Sequence, residues 1–188
     1  MLLRMPGRGD SSGYFSLQNG ELRTPRHCSF ADTAFSAYAL QKHRPLTLHA
    51  TIGLPSTDHA SPTSIAGFVH LVKLYRPFDD MFIGLWNKSR SDCTTYYLAR
   101  LQHELSNALP EYLDTTDSQA ADLRVSQQWL RTMVWQLSIS NGYLSSTSPD
   151  PSMTLIYPVE IAKDLISVTQ SLAKGSLEVH GIGLVRRF

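Results

Sequence analysis

Acid–base, nucleophilic or metal chemistry in this chain would have to come from seven histidines, two cysteines and sixteen carboxylates. Asp79-Asp80 is an adjacent acidic pair, with His70 on the same stretch of chain. Such groups could pass a proton or hold a cation. The pair follows Pro77-Phe78, however, and negative charge there suits the first turn of a helix, so it is expected to start one. Zinc needs His, Cys or carboxylates clustered at short spacing. His27-Cys28, His43 with His49, and Cys93 with His103 do not have that spacing, and neither H-E-x-x-H nor C-x-x-C occurs. No G-x-S-x-G follows a strand as a nucleophile elbow would require, and "GRGDSSG" at 7–13 is flexible tail by composition. Gly181-Ile182-Gly183 also lacks the preceding strand of a dinucleotide loop, and His180 beside it is expected to pack or cap. The expectation is of no catalytic residue, no metal and no cofactor.

The totals narrow the class further. Hydrophobic residues make up 42% of the chain and charged residues 18%, with a formal net charge of +1. That composition is globular rather than disordered, and the charge exerts no general pull on nucleic acid or anionic membranes. Arg23, Arg26 and Arg186-Arg187 are too dispersed for a basic stripe. Two cysteines, Cys28 and Cys93, are too few for a disulfide framework and are expected to be free core thiols. No apolar run approaches the ~20 residues of a membrane span, and "MLLRMPGRGD" has no signal-peptide core. The "RGD" at 8–10 and the sequon at Asn87 would count only in a secreted chain.

The elements that would position these residues are helical. Residues 1–27 lack periodicity and are expected to be a flexible tail, leaving 28–188 as the folded part. Phe35, Tyr38 and Ala39 share a helix face running to about Lys42, before Pro45. Leu46, Leu48, Ile52 and Leu54 alternate as an extended segment between prolines. Ile65, Phe68, Val69 and Val72 form the next helical face, which Pro77 should kink or restart. Phe78, Met81, Phe82, Leu85 and Trp86 continue it. A helix over Thr94–Leu109 carries Leu98, Leu101, Leu105 and Leu109. Thr116 and Gln119 form a capping box, Asn141-Gly142 a left-handed stop, and between them Leu123, Leu130, Val134 and Leu137 define a long central helix. Trp129 widens its stripe, and Trp135 lies toward the margin. Pro158 opens a last helix whose inner face is expected to be Val159, Ala162, Leu165, Ile166, Thr169 and Leu172, ending at Gly175. Five or six helices around a central one, with no paired strands, make an all-α domain.

Four motifs occur in order: "ALQKHRPLTLHATIGLP", "GFVHLVKLYRPFDDMFIGLWN", "DLRVSQQWLRTMVWQLSISNGYLSS" and "YPVEIAKDLISV…LEVHGIGLV". Together they resemble the middle, regulatory domain of fungal binuclear zinc-cluster transcription factors, the kind that control sugar, nitrate or secondary-metabolite pathways. The resemblance covers about residues 30–188. It implies a nuclear, pathway-specific transcription regulator that acts through protein contacts, by self-association or with a full-length zinc-cluster regulator, and in some members answers a small effector. Two cysteines cannot hold the family's six-thiolate cluster. The chain is therefore expected to be a fragment truncated at its C-terminus that makes no direct contact with nucleic acid. The resemblance supplies no effector residues. Aromatics that could line an effector pocket are Phe82, Trp86, Trp129 and Trp135, weighed against plain core packing. Two other readings are an all-helical enzyme of secondary metabolism using Asp79, Asp80 and His70, and a stand-alone module that damps a full-length regulator.

Overall fold

The computed structural model describes residues 36–46, 63–172 and 175–176, and every regular element among them is a helix. In chain order these are α1 (36–42), α2 (Thr63–Tyr75), α3 (Asp80–Trp86), α4 (Thr95–Ser106), α5 (Asp117–Ser140), a 3-10 turn (Pro151–Met153) and α6 (Tyr157–Ser171). The all-α expectation holds. The tail at 1–27, most of the extended segment after Pro45, Cys28, His180 and the last residues from Leu177 lie outside the described residues.

Local chemistry sets the helix ends. Pro77 has no N–H to extend α2, so the chain stops at Tyr75 and restarts. Asp79 caps the restart, accepting the Phe82 N–H at 3.1 Å. Thr94 accepts the Tyr97 N–H at 3.1 Å to begin α4. That helix ends at Ser106 rather than Leu109, because Asn107 turns its side-chain amide back onto the His103 carbonyl at 2.9 Å. Thr116 and Gln119 form the reciprocal capping box of α5. Gly142, with φ of 70°, makes the turn after it at no steric cost.

α5 has 24 residues, or about 36 Å at ~1.5 Å per residue. It packs against α2, α4 and α6, and the 3-10 turn touches α4, α5 and α6. The core joins Leu74, Tyr75, Phe78 and Phe82 to Leu98, Leu101 and Leu105 and to Leu130, Met133, Val134 and Leu137. An unbroken run of rings crosses it. Trp129 meets Tyr75 at 6.5 Å between centroids, Tyr75 meets Phe78 at 6.5 Å, Phe78 meets Phe82 edge-on at 4.6 Å, and Phe82 meets Trp86 at 6.3 Å. Trp86 then stacks on His43 at 5.3 Å and donates its Nε1–H to the Leu40 carbonyl at 3.1 Å, pinning α1 to α3.

The inner face of α6 differs in part from the expected one. Tyr157 and Ile161 are buried, and Leu165, Thr169 and Leu172, expected inside, are partly covered along with Val168. Val159 and Ile166, expected inside, are 48% and 55% exposed, and Ala162 is exposed as well. Both faces of this helix carry apolar residues at helical spacing, so periodicity alone does not choose between them. The choice is made by Tyr157, whose hydroxyl is held by Arg131 of α5 at 2.8 Å.

Trp129→Ala is expected to lower the unfolding free energy by about 3–5 kcal/mol, since Trp129 is only 5% exposed and ends the ring run. Trp135→Ala should cost less, because that ring is partly open to solvent. Urea unfolding of the two variants measures the difference.

Candidate functional site

From Val125 to Arg131 every residue of α5 is buried, so this stretch is enclosed on all sides by α2, α4 and α6. Four of these residues are polar, and a buried polar group must find a partner. Gln127 Nε2 donates to the Leu105 carbonyl at 2.7 Å, which also accepts the Ala108 N–H, and to the Ser106 carbonyl at 3.3 Å, at the end of α4 where helical donors run out. Gln102 of α4 reaches the other way and donates its Nε2 to the Arg131 carbonyl at 2.8 Å. Arg131 Nη1 binds Gln128 Oε1 at 2.7 Å and the Asp164 carboxylate on α6, while Nε and Nη2 both donate to the Tyr157 hydroxyl. Burial works against the Arg131 charge, but the bonds from Asp164 and Tyr157 outweigh it and raise the pKa above its ordinary value. A single guanidinium thereby ties α6 to α5.

This polar seam opens on two sides. One groove of about 640 Å³ lies between α4, the 3-10 turn and the start of α6, with Gln102, Arg131 and Tyr157 in its lining. A smaller one of about 240 Å³ lies on the far side of Arg131, next to Asp164. The sequence reading missed this site. Its signal was present in "SQQWLR", a polar cluster inside an apolar helix, together with Asp164 on the next helix.

The residues singled out from the sequence are placed otherwise. Phe82, Trp86 and Trp129 belong to the one run of rings. Trp135 stands apart, donating its Nε1–H to the Thr154 carbonyl at 3.0 Å. None of the four lines either seam groove or a third groove beside Tyr97. Asp79 spends its carboxylate on the α3 cap. Asp80 is exposed in the first turn of that helix. His70 on α2 is perturbed by burial first, then by Lys73 and Arg124, and by neither aspartate. Glu104 and Glu160 are solvated and pair with Arg100 and Lys163. Cys93 is a buried free thiol whose pKa burial pushes up. Among the described residues no three His, Cys, Asp or Glu side chains gather to hold a metal, and no helix is long and apolar enough to cross a membrane.

No family model matches the chain, and no solved structure matches it. Curated proteins do. Over 154 residues, 80% of its length, the chain is 26% identical to the respiratory transcription factor ZNF1 of Saccharomyces cerevisiae. It is 23% identical to the maltose fermentation regulatory protein MAL13 over 155 residues and 26% identical to MAL63 over 156, both from the same yeast. Over most of its length the chain is thus similar to yeast proteins named as a transcription factor and two regulatory proteins. It spans about a third of the length of each, 32%, 31% and 32%. The similarity takes in most of the four ordered motifs, and the resemblance first drawn from them stands.

Two outcomes are expected at this site. Arg131→Met should destabilise by about 2–4 kcal/mol, because it strands Gln128 and Tyr157 without their donor. Asp164→Asn should cost less, about 1 kcal/mol, since Asp164 is 50% exposed and water screens the pair. Urea midpoints at neutral pH test that ranking. The second outcome concerns His70, whose folded pKa lies below the ordinary 6.5 and whose Nδ1 is buried without a partner. The unfolded chain therefore takes up the proton first, and stability falls as pH drops through about 6.5. His70→Gln should flatten that acid limb, seen by comparing midpoints at about pH 7.5 and about pH 5.5.

Proposed function

We propose that this chain is a helical regulatory domain of a fungal transcription regulator, non-catalytic and nuclear, that works through contact with a second copy of itself. The folded unit is residues 28–188, behind a tail at 1–27. The transcriptional part of the reading is supported by the relatives, which by name are a transcription factor and two regulatory proteins. The contact part is carried by the outer face of α6. Leu155 and Ile156, at 63% and 68% exposure, precede the helix, and Val159 and Ile166 continue the apolar patch outward. Val159, Ala162 and Ile166 follow one another at steps of three and four residues and so share one outer face of α6, an apolar strip on which a second helix can pack. A second copy presents the same strip, so the pairing is self-complementary and closes as a two-fold dimer.

Burying a Leu, Ile or Val side chain contributes about 1.5–3 kcal/mol when it goes from open to covered. Half-exposed residues gain roughly half of that, so one strip yields a modest, reversible association rather than an obligate dimer. Phe82, Trp86 and Trp129 are packing residues in this reading, because rings this enmeshed hold the fold, and Trp135 tethers the loop at Thr154.

Light scattering on the eluting full chain tests the contact. The expected mass rises from monomer toward dimer as concentration increases, and Val159→Asp with Ile166→Asp abolishes the rise while leaving the helical circular dichroism intact. A wild-type chain that stays monomeric at high concentration overturns the self-contact. The regulatory part is tested separately by fusing the chain to an unrelated DNA-binding module in yeast. Reporter output is expected to change, and no change counts against it.

A further inference from the structure

The turn that ends α5 is built on a reactive dipeptide. Asn141 and Gly142 are both exposed. The Asn141 side chain closes the helix, donating from Nδ2 to the Leu137 carbonyl at 2.8 Å beside its own backbone N–H at 3.2 Å. Gly142, with φ of 70°, donates its N–H to the Ile139 carbonyl at 2.9 Å, and Tyr143 donates its N–H to the Ser138 carbonyl at 3.0 Å. The chain beyond is tied down by the Tyr143 hydroxyl, which donates to the Cys93 carbonyl at 2.7 Å, and by Leu144, which packs on the core. Glycine has no side chain to screen its amide nitrogen from the Asn side chain before it. Nothing else screens it either, since a Cβ built on Gly142 would meet no atom within 4 Å. The closed turn alone restrains this pair, by engaging the Gly142 N–H and the Asn141 amide on carbonyls of α5.

We propose that Asn141 is a site of spontaneous deamidation, and that the reaction unfastens the end of α5. Helix ends fray, and local opening of the last turn releases both groups. The Gly142 nitrogen then loses its proton to water and attacks Asn141 Cγ. A C–N bond forms, the Cγ–Nδ2 bond breaks, and the departing nitrogen takes up a proton and leaves as ammonia. The product is a succinimide ring. Water opens it at either carbonyl, leaving aspartate or isoaspartate. Nothing is oxidised or reduced, and water is the only co-reactant. Either product spoils the turn. Its carboxylate has no proton to give the Leu137 carbonyl, and it places negative charge at the negative end of the helix dipole. Isoaspartate also adds a carbon to the main chain before Gly142, which shifts the Gly142 and Tyr143 N–H groups off Ile139 and Ser138. The loop carrying Tyr143 and Leu144 then loses its fixed start. The chemical state of Asn141 thus records how often the end of α5 has opened. This site needs neither the outer face of α6 nor a partner.

The full chain, held at mildly alkaline pH and then digested, tests the reaction by peptide mass and by labelling with an isoaspartyl methyltransferase. The peptide containing Asn141 is expected to gain the mass of an amide-to-acid exchange and to take the label, severalfold more slowly in the native chain than in urea. Asn19-Gly20 is the same dipeptide elsewhere in the chain. In urea the two pairs should react at similar rates, so Asn19 is the internal standard for the unfolded reaction. The consequence is tested by two variants. Asn141→Ser removes the amide without adding charge, and Asn141→Asp supplies the charged product. Asn141→Asp is expected to show the lower urea midpoint of the two, and both to fall below the wild type. The proposal is overturned if the Asn141 peptide stays unmodified in the native chain through an incubation that converts it in urea. It is equally overturned if native and unfolded chains react at the same rate, or if Asn141→Asp is no less stable than Asn141→Ser.

Discussion

A helix packed on every side cannot turn its polar residues toward water. That constraint governs the middle of α5, where seven consecutive residues are buried. Gln128 is met by Arg131 of its own helix, but Gln127 and Arg131 are met by neighbouring elements, and each such meeting fixes where that element lies. Gln127 fixes the end of α4 by taking up its last carbonyls, and Arg131 fixes the start of α6 through Tyr157 and Asp164. Apolar burial makes the larger contribution to stability, but it is non-directional. The direction comes from these few bonds, as the orientation of α6 makes plain.

The other half of the domain is ordered by shape instead. Rings from α2, α3 and α5 interlock in an edge-and-face sequence that ends on Trp86, and Trp86 reaches the backbone of α1 across 46 positions of sequence. Aromatic pairs in such geometry add about 0.5–1.5 kcal/mol each beyond the area they cover. Two modes of specification thus meet along α5, with rings toward α2 and α3, and amides and a guanidinium toward α4 and α6.

Features that depend on a few adjacent residues were legible in the sequence. The Thr116–Gln119 box, the Asp79 and Thr94 starts, the stop at Asn141-Gly142 and the break at Pro77 each rest on local chemistry, and each stands in the structure. The inner residues of α4 and α5 were legible because only one face of each is strongly apolar. The orientation of α6 was not. Tyr157 and Ile161 compete with Val159, Ala162 and Ile166 on nearly equal terms beside the partly covered Leu165 and Thr169, and the decision lies 26 residues away in Arg131. The seam escaped for the same reason. A Gln or Arg in a helix reads as surface until the partner that buries it is known, and Gln102, Arg131, Tyr157 and Asp164 become one feature only when three helices are brought together.

Arg131, Tyr157 and Asp164 belong to one side-chain hydrogen-bonded unit, and groups so connected do not contribute additively. Losing any one of them alone leaves the others mismatched, whereas a concerted exchange for well-packed apolar residues can be nearly neutral. Divergence at these sites therefore has to proceed as a block. Across related chains, 131, 157 and 164 should either keep their chemistry together or surrender it together, with few intermediates surviving between the two solutions.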